Sequence, residues 1–193
     1  MKKGSDEVED AQIVQLFLAR KEQAIEETAG KYGKYLFAIA NNILTSNRDA
    51  EEAVNDTYLG AWNSIPPHRP HRLNTYLGKI TRRISLDKWK VNRTQKRGGG
   101  EVTLALEELE DCIPAGETPE QAMELKELTQ LLNTFIRTLA ETEQRVFICR
   151  YWYLMSVKTI SRNFGFTESK VKSMLSRTRG KLKTYLEREG IFI

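Results

Sequence analysis

Long apolar runs are missing from this sequence. The longest, around residues 35–40 and 146–149, fall far short of the ~20 residues needed to span a bilayer. The start, MKKGSDEVEDAQ, turns acidic at once with no apolar stretch behind its two lysines, so no secretory signal is expected. Cysteine is scarce. Cys112 and Cys149 lack a metal-like spacing, and two free thiols in a reducing cytosol are expected. The two histidines, His68 and His71, sit in a Pro/Arg-rich turn with nothing to supply a third ligand, which argues against zinc. There is no Gly-rich phosphate loop, no usefully spaced carboxylate pair and no nucleophile with a histidine orienter. An enzyme is therefore the least expected reading, and no cofactor or metal is implied.

What is present is charge arranged in blocks. The 193-residue chain has a net charge of only +4. Residues 1–56 hold 7 basic and 11 acidic side chains, and residues 68–97 hold 10 basic and 1 acidic. Residues 101–127 reverse to 1 basic and 9 acidic, before residues 158–183 return to 8 basic and 1 acidic. A solvated helix face mixes both signs, so two separate basic blocks suggest two contacts with a polyanion. The acidic segment between them is unsuited to that partner.

Periodicity predicts helices throughout. Apolar residues recur at helical spacing over residues 10–28 and 31–44. TSNRDAEEAV offers Ser46 or Asn47 as a cap for a helix through Trp62, which must stop before IPPHRPHR. Another helix starts near Asn74 or Thr75 and runs through Trp89. Residues 98–118, GGGEVTLALEELEDCIPAGET, read as an acidic Gly-rich linker with at most a short turn at 104–109. A second group of helices follows from about Pro119, with Thr142 as a candidate cap. The expected fold is all-α: a helical domain over residues 8–97, the linker over 98–118, and a second helical domain over 119–190.

In VKTISRNFGFTESKVKSMLSR, Ile160 and Phe164 are expected to face inward, Gly165 to close one helix and Thr167 to cap the next. Val171, Met174, Leu175, Thr178 and Leu182 form an inner stripe, and small Ser161 suits a close helix crossing. Thr167 ends the turn, and Glu168, Ser169, Lys170, Lys172, Ser173 and Arg177 lie outward. The pattern fits a helix-turn-helix whose second helix enters a major groove, and it also fits a plain packed hairpin. The upstream block, PPHRPHRLNTYLGKITRRISLDKWKVNRTQKR, interleaves cations with Tyr76 and Trp89, a composition suited to unstacked bases. Those two aromatics are as compatible with core as with surface, whereas Trp62 reads as core.

Three motifs in order resemble the bacterial RNA polymerase sigma factors, specifically the two-domain extracytoplasmic-function (ECF) group. They are DAEEAVNDTYLGAW (49–62), TYLGKITRRISLDKWKVNR (75–93) and the 141–186 segment ending GKLKTYL. The resemblance implies that Asp49, Glu52, Asn55, Asp56 and Leu59 dock on the clamp helices of the polymerase's largest subunit. It implies that Arg69, Arg72, Asn74, Tyr76, Lys79, Arg82, Arg83, Lys88 and Trp89 serve the −10 element, holding the non-template single strand. Thr167, Glu168, Ser169, Lys170, Lys172, Ser173 and Arg177 would serve duplex −35 DNA, with the second domain also touching the flap tip of the second-largest subunit. The implied location is cytoplasmic. An anti-sigma factor is a common partner in the group, and this chain carries no readable mark of one. Two positions depart from the family pattern: Leu154 where a glycine is usual, and Arg83 where asparagine is common. The rival readings are a two-domain regulator binding duplex DNA alone and a helical interaction module whose basic faces meet an acidic protein.

Overall fold

A computed structural model describes residues 9–95, 101–110 and 121–191. Among them the secondary structure is helical throughout, and the chain divides into two compact units, Met1–Gly98 and Gly99–Ile193. Membrane-crossing helices are absent: among the described residues none is long and apolar enough.

Unit 1 contains α1 (Asp10–Leu18), α2 (Gln23–Leu44), α3 (Asn47–Ser64) and α4 (Leu73–Gln95). Ile13 and Phe17 of α1, Leu36, Ile39 and Ile43 of α2, Ala50, Ala53 and Ala61 of α3, and Leu73 and Leu77 of α4 are buried together. Small residues bring the helices close. A Cβ on Gly78 would stand 2.8 Å from the Tyr35 hydroxyl, so α4 rests so closely on α2 that a side chain there would have to displace the end of Tyr35. Thr57 and Thr81 share a 3.0 Å hydrogen bond across the buried α3–α4 seam. Each hydroxyl oxygen also lies within hydrogen-bonding reach of a carbonyl of its own helix, Ala53 and Leu77, so two hydroxyl protons serve three contacts.

The expected helix over 10–28 is broken earlier than periodicity suggested. Arg20 adopts φ 55°, and the amide of Lys21 returns to the Leu16 carbonyl, closing α1. Arg20 donates to the Trp62 carbonyl at 2.5 Å and lies over the Trp62 ring at 5.4 Å. That tertiary contact accompanies a turn which local spacing does not announce, while α2 continues straight through Gly30. Trp62 is half-buried rather than a core residue, edge-on to Phe17 at 6.4 Å. Ser46 caps α3 by accepting from the Asp49 amide, and α3 ends at Ser64 before the prolines, as expected.

Unit 2 contains α5 (Glu101–Glu110), α6 (Gln121–Thr138), α7 (Glu141–Tyr151), α8 (Val157–Phe164) and α9 (Glu168–Arg188). Its core joins Phe135, Val146, Phe147, Tyr151, Leu154, Ile160, Val171, Leu175, Leu182 and Leu186. Within the expected linker, residues 101–110 form a regular helix rather than a short turn at 104–109, and its Glu108 bonds α7 and α9. Residues 111–118, and with them Cys112, lie outside the described residues. Thr142 does not cap α7. The N-cap is Ala140, which has no capping side chain, and the acidic Glu141 and Glu143 of the first turn favour the helix dipole.

Candidate nucleic-acid and partner interfaces

α8 and α9 follow the sequence logic closely. Ser156 caps α8 by accepting from the Thr159 amide, Gly165 ends it at φ 66°, and Thr167 caps α9 by accepting from the Lys170 amide. Val171, Met174, Leu175, Thr178 and Leu182 are buried, and Ser161 is buried at the crossing. Glu168, Ser169, Lys170, Lys172, Ser173 and Arg177 are all exposed. Together they make up the solvent-facing side of α9. At ~100° per residue, Lys170 and Lys172 stand on opposite flanks of the buried stripe, with Arg177 on the Lys170 side. Thr167 is committed to its cap, and the Arg177 guanidinium folds back to the Ser173 carbonyl at 3.3 Å. Phe164 is half-buried instead of inward. It stacks on Phe166 at 5.9 Å, with Arg145 over Phe164 and the Lys170 ammonium 3.7 Å from the Phe166 ring centre.

The geometry of the turn before α8 rests on Leu154, which sits at φ 51° while almost wholly buried. This is the left-handed conformation that a glycine adopts freely. The turn is thus made with leucine. Arg150, the largest fully buried side chain of the described residues, donates to the Met155 carbonyl at 3.1 Å and braces that turn. Its other donors meet Glu108 of α5 at 2.9 and 3.3 Å. Tyr151 donates to Glu108 at 2.9 Å, and Arg179 of α9 reaches Glu108 at 3.3 Å and the Tyr151 oxygen at 2.9 Å. Burial pushes the Glu108 carboxyl up, but its bonds to Arg150 and Tyr151 and the charges of Arg150 and Arg179 outweigh this and hold it below the ordinary carboxylate range. Sequence reasoning missed this cluster because its acidic member lay in the presumed linker.

On unit 1 the expected −10 residues divide. Arg69 and Arg72 precede α4 and are exposed, as are Asn74, Lys79 and Arg83 on α4. Lys79 and Arg83 share a stripe that continues to exposed Lys90, which sequence reasoning omitted and which the i, i+7 spacing from Arg83 could have revealed. Tyr76 is half-buried, donating to Ser64 Oγ at 2.7 Å with its ring 6.2 Å from His68. Arg82 and Trp89 are also half-buried and lie off the stripe. Burial pulls the Arg82 guanidinium pKa down, though arginine stays charged.

Lys88 stands apart from this stripe. It lies about 140° around the helix from Arg83. Its ammonium bridges Glu52 at 2.7 Å and Asp56 at 3.0 Å, two residues expected to meet the polymerase. Burial pulls the Lys88 amine down, but hydrogen bonds and attraction to Glu52 and Asp56 outweigh it and hold it above the ordinary lysine value. On the outer face of α3, Glu52, Asn55 and Leu59 are exposed in line, with Asp49 and Asp56 on its half-buried flank. Leu59 is 58% exposed, a large apolar residue beside carboxylates. Glu52, Asn55, Asp56 and Leu59 therefore lie on one surface of α3, and the Lys88 ammonium reaches it.

No group of three or more metal-ligating side chains occurs among the described residues. Cys149 is a free thiol whose pKa burial pushes up, leaving it less reactive.

Comparison with known proteins gives the family. The model for sigma-70 region 2 matches residues 29–95, and that for sigma-70 region 4 matches residues 129–182, together more than half of the chain. The chain is 25% identical over 148 residues to RNA polymerase sigma factor SigZ of Bacillus subtilis, covering 74% of this chain and 78% of SigZ. It is 25% identical over 168 residues to ECF RNA polymerase sigma factor SigE of Mycolicibacterium smegmatis, covering 86% of this chain and 62% of that protein's length. The solved structure of CnrH in complex with the cytosolic domain of CnrY aligns over 93% of this chain and 97% of that one, at 16% identity and a TM-score of 0.42. The region 2 match covers α3 and α4, the region 4 match covers α7, α8 and α9 as far as Leu182, and the chain belongs to the bacterial sigma-70 family, as a factor of RNA polymerase and promoter recognition.

Proposed function

We propose that the two units divide promoter recognition, with α9 reading duplex −35 DNA and the α4 stripe capturing the −10 element as it opens. The observation that carries this reading is the presence of two exposed cationic faces on separate units, one of them a capped helix-turn-helix. A rigid helix anchored by phosphate contacts suits groove reading. A cationic surface bordered by aromatics suits separated strands, because stacking becomes available only once bases unpair. Lys79, Arg83 and Asn74, with Arg69 and Arg72 before them, are the exposed members on α4, and Lys90 joins them. Tyr76 takes part from a half-buried position. Arg82 and Trp89 support the surface from its edge. The outer face of α3, through Glu52, Asn55, Asp56 and Leu59 with Asp49 behind them, docks on the clamp helices of the largest polymerase subunit. Unit 2 meets the flap tip. An anti-sigma factor is the further partner that group membership implies.

The test is promoter-dependent initiation by the purified chain with core polymerase, on duplex templates and on templates with a pre-melted −10 bubble. K170A/K172A should weaken closed complexes, lower the salt slope by about one unit per lysine, and gain only part of its activity back from the bubble. K79A/R83A should leave closed complexes closer to normal and be largely rescued by the bubble. Identical profiles for the two variants would overturn the division of labour, and no initiation at all would overturn the function.

A further inference from the structure

The bridge between Lys88 and the α3 carboxylates joins a residue of the supposed DNA helix to the supposed polymerase face. Lys88 is only 25% exposed, whereas Glu52 and Asp56 are 62% and 44% exposed. The carboxylates are therefore open to solvent while their present counter-charge approaches from behind. Glu52, Asn55 and Leu59 follow one another at steps of three and four, so an exposed apolar residue continues the acidic stripe. Such a face fits a helical surface carrying arginine or lysine. An arginine fork in particular can engage two carboxylate groups, where the lysine ammonium acts as a single point charge.

We propose that Lys88 is a built-in competitor on this docking face, holding Glu52 and Asp56 in the free protein until a cationic side chain of the polymerase displaces it. The inference rests on the reading of α3 as the polymerase-docking helix. Exchange of one exposed ion pair for another is cheap in water, because each is weak alone. The competitor thus lowers affinity for any single cation and leaves selectivity to a partner that also covers Leu59. Lys88 lies away from the Lys79–Arg83–Lys90 stripe, so its loss should not remove a nucleic-acid contact.

The experiment titrates core polymerase with the full-length chain at several salt concentrations, using wild type, Lys88→Met and Lys88→Arg. The same Lys88→Met change is also made in the E52Q/D56N background. Lys88→Met is expected to bind about 2- to 5-fold more tightly, with a steeper salt dependence, while Lys88→Arg, which keeps the competing charge, binds no more tightly than wild type. In the E52Q/D56N background, which should itself bind core more weakly, the Lys88→Met gain should vanish. Lys88→Gln repeats the measurement without adding apolar surface, and thermal melting of each variant checks the fold. Unchanged or weaker binding by both Lys88→Met and Lys88→Gln would overturn the competitor, as would an equal gain in the E52Q/D56N background. If wild type binds and E52Q/D56N binds equally well, the docking assignment of α3 fails and the competitor with it. If E52Q/D56N weakens binding but Lys88→Met changes nothing, the competitor alone fails.

Discussion

In each unit an ionic cluster of three charged side chains ties together helices distant in sequence, and the two clusters differ in burial. In unit 2, Glu108 meets Arg150 and Arg179, and the Arg150 side chain is only 2% exposed. In unit 1, Lys88 meets Glu52 and Asp56 at comparable distances, but both carboxylates face water. The distances alone would suggest equal importance. Burial decides otherwise. Removing one partner of a buried pair strands a charge where water cannot reach it, whereas an exposed pair gains little over hydration. The first cluster is architecture that fixes α5, α7 and α9 and the turn before α8. The second is an exchangeable surface contact.

The largest effect should follow Glu108→Ala. Arg150 would keep its bond to the Met155 carbonyl but lose its carboxylate, and Arg179 would add a like charge nearby. A loss of about 3 kcal/mol is expected, the lower end for a broken buried pair because Glu108 itself is partly exposed. Hydrogen exchange on the full chain should show the loss in α7–α9 and spare α2–α4. The pH dependence sharpens the assignment. The Glu108 pKa is depressed on folding, so its stabilisation is complete above the ordinary carboxylate pKa of ~4.3 and is lost as pH falls through the lower folded value. Unit 2 of Glu108→Ala should therefore lack part of the wild-type acid limb. Equal protection in both proteins would mean that the buried cluster is no more structural than the exposed one.

A middle-sized effect is expected at Leu154, in the turn that Arg150 braces. Two terms oppose each other in Leu154→Gly. Relief of the left-handed backbone returns about 1–2 kcal/mol, while loss of a buried leucine costs about 2–5 kcal/mol. Burial should win, leaving the variant about 1–3 kcal/mol less stable by denaturant unfolding. A more stable variant would show that the turn, not the packing of Leu154, limits unit 2.

The same contrast explains what was legible in the sequence. Features encoded within a few residues were readable: the caps Ser46, Ser156 and Thr167, the Gly165 stop, the Val171–Leu182 stripe and the break at the prolines. Features made by distant side chains were not. Arg20 breaks a helix while bonded to Trp62, forty-two positions away. Glu108 turns an apparent linker into a docked helix only because Arg150, Tyr151 and Arg179 receive it. Among the candidate site residues, the exposed face of α9 emerged as read. Lys88 moved to another surface, and Lys90 joined the Lys79–Arg83 stripe, a place its i, i+7 spacing from Arg83 already marked. Charge counting located the basic block correctly but could not say which side of the helix each cation takes.

The smallest stability change is expected for Lys88→Met, and its smallness is what distinguishes the clusters. Two ion pairs are lost, yet Glu52 and Asp56 remain hydrated and the lysine stem occupies a partly exposed site that methionine can cover. Exposed pairs of this kind contribute about 0.2–1 kcal/mol each, and shared ones less than additively, so the net loss should stay below about 1 kcal/mol. Added salt should shrink it further by screening. Glu108→Ala should respond much less to salt, because its stranded partner is buried. Measuring both variants by urea unfolding at low and high ionic strength therefore gives two unequal slopes. A Lys88→Met loss as large and as salt-insensitive as that of Glu108→Ala would mean that the α3–α4 bridge is a folding contact, and that docking cannot break it cheaply.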